Sequence, residues 1–191
     1  MSINALVNLK SDFIRANLEK PLVVIGLMGA GKTSIGNMLA DELGYGFVDS
    51  DDEIVKREGR SIPEIFAQSG EPHFREVERD VIQDLMRDTN PHVIGTGGGA
   101  FMNDQTRQVI KEAGLSVFLK ADLDVLVKRV GSGEGRPLLM AGNPREILQE
   151  LINKRYPIYQ EADLIVETRD ESPQETLARV SDAIYNKLSL S

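Results

Sequence analysis

The segment Gly26-Leu-Met-Gly-Ala-Gly-Lys32-Thr33 limits what this chain can fold into more than any other. An apolar, β-branched run from Leu22 to Ile25 precedes it. Behind it Ile35, Met38, Leu39 and Leu43 recur at helical spacing until Gly44. A buried strand that enters a glycine-rich turn and leaves as an amphipathic helix builds a concave anion site. Glycines let backbone amides turn inward, and the helix adds the positive end of its dipole. Lys32 reaches outer phosphates as a point charge, and the Thr33 hydroxyl suits Mg²⁺. These residues predict a nucleoside triphosphate site, comprising Gly29, Ala30, Gly31, Lys32, Thr33 and Ser34. They do not choose between a kinase, an ATPase and a GTPase.

The rest of the chain alternates short apolar runs with helical periods. Phe47-Val48, Val93-Ile94, Leu115 to Leu119 and Leu164 to Val166 read as four more strands. Helices are predicted from Asn103 to Ala113, from Leu123 to Val130 and from Asn143-Pro144 onward. Ser61-Ile-Pro-Glu64 and Ser172-Pro-Gln-Glu175 are capping boxes that open two others. The first of these is expected to end at Gly70, before a longer helix with Phe74, Val77, Val81 and Leu85 on one face. Five strands alternating with helices predict a doubly wound α/β sheet. Leu6, Leu9, Phe13 and Leu18 predict a short amphipathic helix ahead of the first strand.

With 191 residues, the chain is long enough for one domain with a real core. It contains no cysteine, which rules out a disulfide framework and fits a reducing, cytoplasmic setting. A net charge of −8 argues against nucleic acid or an anionic membrane as the main partner. Phosphates must then be captured by loop amides and a few placed cations. No apolar run approaches the roughly 20 residues a membrane span needs.

GTPase base-reading signatures such as N-K-x-D are absent. The third strand ends in Gly95-Thr-Gly-Gly-Gly99 rather than in a metal-associated acid, so Asp49-Ser-Asp51 is the available acid cluster. Ligands of open α/β sheets sit at the carboxyl ends of strands, which puts these segments beside the phosphate loop. Ser50 to Glu53 also reads as a capping box. In order along the chain, GLMGAGKT, Asp49-Ser-Asp51, Phe74-Arg75, Gly97 to Gly99, Arg136-Pro-Leu-Leu139 and Arg155-Tyr-Pro-Ile-Tyr159 together resemble the shikimate kinase family.

That resemblance runs from about Leu22 to the C-terminus, and it implies a P-loop kinase fold. A five-stranded parallel sheet would carry a substrate-binding helical insert over about 50–80 and a mobile lid over about 131–143. Residues 1–20 would be an N-terminal extension to a single kinase domain spanning 21–191. The resemblance implies ATP-dependent phosphorylation of shikimate, with Mg²⁺ as cofactor, by a cytoplasmic monomer. Lys32, Asp51 and Arg136 would be catalytic, Asp51 receiving the proton of the attacking hydroxyl and Arg136 closing over the phosphates. Arg75 and Arg155 would hold the shikimate carboxylate, and Gly98 would approach the ring. Thr33 and, through water, Asp49 would hold the metal, while Arg129 packs beside the adenine. Planar guanidinium groups are the natural clamp for a carboxylate. The alternatives are another small-molecule kinase, such as a gluconate kinase, and a nucleotide-binding regulator without phosphotransfer.

Overall fold

Leu22, Val23 and Val24 are fully buried on both faces of their strand, as a central parallel strand requires. In the computed structural model, which describes residues 3–88, 90–131 and 142–190, this strand β1 (Leu22–Ile25) lies in the middle of a five-stranded sheet. Its fellows are β2 (Gly46–Asp49), β3 (His92–Gly95), β4 (Leu115–Ala121) and β5 (Leu164–Thr168), and every pairing is parallel. The order β2-β3-β1-β4-β5 reverses direction at β1. The loops after β1 and β3 therefore diverge there and leave a crevice at the carboxyl ends. Register brings Asp49, at the end of β2, level with Gly95, at the end of β3.

Helix α2 (Lys32–Leu43) follows the glycine-rich turn and stops at Gly44, whose left-handed conformation returns its N–H to Ala40 and Asp41. Helix α3 (Ser50–Glu58) begins directly at the end of β2. Its cap differs from the expected Ser50–Glu53 box, because Asp49 accepts the N–H of Asp51 at 2.9 Å. Ser50 is instead buried, and its Oγ accepts the N–H of Gly97 at 3.3 Å. Helix α4 (Ile62–Arg87) opens with the predicted Ser61–Glu64 box. The chain does break at Gly70, at φ 78°, but it continues at once into the longer helix. Ile54, Ile65, Phe74, Val77 and Val81 form a small second core between α3 and α4.

Helices α5 (Asp104–Ala113), α6 (Leu123–Val130), α7 (Pro144–Tyr159) and α8 (Pro173–Ser189) complete the layers. The helix before β1, α1 (Ile3–Asn17), packs against α8 and α2. Leu18 is buried as expected, and the Phe13 ring lies 4.9 Å from that of Tyr185. Leu9, by contrast, is 56% exposed, and Ile14 makes the contact with the main core. The side chain of Leu6 lies outside the described residues. No described helix is long and apolar enough to cross a membrane.

Candidate active site

The phosphate loop is built on backbone that only glycine adopts easily. Gly29 and Gly31 have φ of 83° and 97°, and a Cβ on Gly29 would lie 2.9 Å from Val130. Lys32 Nζ donates to the carbonyl of Leu27 at 3.2 Å, so the ammonium lies folded against its own loop. Gly29, Gly31, Lys32, Thr33, Ser34 and Arg129 line one depression. Ala30 is buried, and its carbonyl accepts from Arg129 at 3.3 Å. The Arg129 guanidinium also donates to Thr168 Oγ1 at 3.4 Å and to the Arg169 carbonyl at 2.6 Å. It thereby ties the loop to the chain between β5 and α8. Beyond it a groove runs along Gly31, Ser34, Glu171, Pro173 and Thr176. The segment before Pro173 thus reaches this groove through Glu171, while the Arg169 carbonyl holds Arg129 beside it.

On the other side of Lys32 and Thr33 opens a cleft of about 310 Å³. It collects Asp49, Asp51, Arg75, Gly97, Gly98, Gly99 and Arg155 from segments far apart in the chain. At each of the three glycines, Gly98 among them, the position a Cβ would take is crowded by a charged side chain of the protein itself. A Cβ on Gly97 would lie 2.8 Å from Asp51 Oδ1 and 3.1 Å from Glu78 Oε1. One on Gly98 would lie 3.0 Å from Arg155 Nη1, and one on Gly99 would lie 2.5 Å from Arg75 Nη1. The triplet is a template on which the two arginines and the acids are seated.

Each arginine has further anchors. Arg155 donates to the Gly98 carbonyl at 2.7 Å, and Tyr159, one turn later on α7, donates to the same oxygen. Arg75 is gripped by Glu78 at 2.8 Å and by Glu71 at 3.0 Å, and it lies 5.1 Å over the Phe74 ring. Glu78 is not among the residues the sequence pointed to. Its side chain is 2% exposed, and it lines the cleft. It occupies the apolar stripe of α4, one turn after Phe74 and beside Val77 and Val81, and a carboxylate there is the sign that marks it. Burial raises its pKa, against the pull of Arg75.

Asp51 is the most perturbed acid of the cleft. Burial and the nearby Asp49 charge raise its carboxyl to about 6, although Lys32 and Arg75 pull the other way. Asp51 Oδ1 and Glu78 Oε1 are both buried without a hydrogen-bond partner among the described residues. Two orphaned acceptors and two seated guanidinium groups form a surface complementary to a ligand with both hydroxyl donors and a carboxylate. Asp49 is also raised, chiefly by burial, while Asp51's N–H and Lys32 oppose the change. Arg136 and most of the expected lid lie outside the described residues.

A family model described as shikimate kinase matches residues 28–185. A shikimate kinase of Paramagnetospirillum magneticum is 49% identical over 180 residues, covering 94% of this chain and 92% of that protein. One of Cereibacter sphaeroides is 48% identical over 174 residues, covering 91% of this chain and 87% of that protein. Among solved structures, shikimate kinase from Acinetobacter baumannii in complex with shikimate superposes with a TM-score of 0.83. That chain is 34% identical, and the match covers 91% of this chain and 98% of the other.

Proposed function

The chain belongs to the shikimate kinase family, and on that premise we propose how its own residues transfer the terminal phosphoryl group of ATP to the 3-hydroxyl of shikimate. One observation carries the assignment of the acceptor side. Two guanidinium groups packed on adjacent glycines face a buried carboxyl in a cleft that abuts the phosphate loop. Arg75 and Arg155 bind the carboxylate of shikimate, and Gly98 lies against its ring. Asp51 accepts a hydrogen bond from the hydroxyl that reacts. A carboxyl raised to about 6 remains mostly ionised at neutral pH and is still basic enough to take the proton as the new bond forms.

The shikimate oxygen forms a bond to the γ-phosphorus while the bond from that phosphorus to the ADP oxygen breaks. The hydroxyl proton goes to Asp51, and ADP leaves. Lys32, freed from the Leu27 carbonyl, neutralises charge on the transferring group. Arg129 packs beside the adenine at the groove bounded by Pro173. The donors available for Mg²⁺ fit a hard cation that keeps water and phosphate ligands. Thr33 offers a hydroxyl, and Asp49 offers a carboxylate in the same cleft. When bound, the metal would offset charge on the phosphates.

A cytoplasmic monomer is part of this reading, supported by the absence of cysteine and by a site assembled within one chain. A coupled assay of ADP release, run with and without shikimate, tests the proposal. Release that depends on shikimate supports it, and release indifferent to shikimate refutes it.

A further inference from the structure

Arg107, on α5, does not line the cleft, yet its side chain is only 17% exposed. All three of its guanidinium nitrogens are engaged. Nη1 donates to the carbonyls of Phe101 and Met102, each at 3.0 Å, Nη2 to Asp104 at 2.6 Å, and Nε to Glu161 at 3.3 Å. The two carbonyls close the short 3₁₀ turn Ala100–Met102, which continues directly from the glycine triplet. That turn bonds back to the triplet, Ala100 N–H to the Gly97 carbonyl at 3.1 Å and Met102 N–H to that of Gly99 at 3.0 Å. Glu161 lies just past α7, which carries both Arg155 and Tyr159. One half-buried cation thus touches both the backbone extension of the triplet and the end of the helix that presents Arg155.

The carboxylate contacts are the weaker part of this arrangement. Asp104 is 91% exposed and Glu161 58%, and ion pairs in water contribute little. The carbonyl bonds are charge-assisted and satisfy acceptors at the end of a helical turn. We infer that Arg107 is a positioning residue for the acceptor site, fixing through these two carbonyls the turn that continues from the triplet on which Arg75 and Arg155 are seated. Lysine cannot take over, because one ammonium lacks the planar fork that reaches two carbonyls and Glu161 together.

The inference rests on the acceptor reading of the cleft. The test compares wild type, Arg107→Gln, Arg107→Lys and Glu161→Gln as full chains, measuring KM for shikimate and for ATP alongside Tm. Arg107→Gln should raise the shikimate KM about ten-fold and leave the ATP KM within about two-fold. Arg107→Lys should show the same split at smaller size, and Glu161→Gln should stay near wild type. Equal shifts in both KM values, or an unchanged shikimate KM, overturn the inference. If Arg107→Gln does not fold, Arg107→Lys carries the test by the same criterion. If neither folds, Arg107 serves stability alone and the inference fails. A wild type that does not use shikimate would instead refute the acceptor reading.

Discussion

Asp51→Asn should make the protein more stable at neutral pH while nearly abolishing its turnover. Asp51 Oδ1 is buried without a hydrogen-bond partner among the described residues, and burial leads the causes that raise its pKa from 3.8 to about 6. The folded-state value lies above the unfolded one, so between them the folded protein binds more protons. Stability therefore falls as pH rises through that window and stays lowered above it. Holding the carboxylate ionised at neutral pH costs on the order of 3 kcal/mol. The isosteric amide removes that cost, so about 2–3 kcal/mol of added stability is expected near neutrality, at about 2–4 °C of Tm per kcal/mol. The difference should shrink toward zero at about pH 3, below the unfolded value of 3.8, where wild-type Asp51 is mostly protonated in both states. Turnover should fall by about 10²- to 10⁴-fold, since the amide cannot accept the proton. Urea unfolding of both proteins near pH 7 and at about pH 3, with kcat measured at neutral pH, checks the set. A variant no more stable than wild type at neutral pH would refute the claim that this carboxylate is held at a cost.

The same carboxyl should set the acid limb of the rate, with kcat/KM for shikimate half-lost near pH 6, as the raised value of about 6 requires. A flat profile down to about pH 5 would contradict that role. Gly99→Ala should weaken shikimate binding about ten-fold or more with ATP affinity unchanged, since truncated or displaced charge contacts carry that much. Gly99 sits at an ordinary φ of −96°, so the cost falls on the Arg75 guanidinium rather than on the backbone. Titration calorimetry with each ligand separates the two, and unchanged shikimate affinity would show that the template is loose. Lys32→Ala should lower kcat more than about 100-fold in a folded protein, and full activity would overturn the loop assignment.

Much of the fold is legible in the sequence because its signals are local. Gly26 to Thr33 states the strand–turn–helix unit, and Ser61–Glu64 and Ser172–Glu175 mark helix starts that the structure reproduces as capping boxes. Strand order is not local, and nothing in the five apolar runs says that β3 inserts between β1 and β2. The site divides in the same way. Candidates at motif positions, such as Lys32, Asp51, Arg75 and Arg155, converge on one cleft. Glu78 escaped because an acid amid Glu71, Glu76 and Arg79 resembles a solvated helix face, and only its place on the apolar stripe argues otherwise. Asp49 rather than Ser50 caps α3, because the helix starts one residue earlier than the capping pattern implied. Arg107 has no motif at all, since the partners that matter most are backbone carbonyls, which the sequence does not display.

The central claim is that the acceptor is held by its carboxylate between Arg75 and Arg155. Comparing the dissociation constants of shikimate and its carboxamide for the wild-type protein tests it most directly. The amide keeps the ring and hydroxyls and removes only the charge. A loss of about 100-fold or more, with ATP affinity unaltered, is the predicted result, since unpairing a desolvated charge typically costs several kcal/mol. Equal affinity for acid and amide would contradict the account.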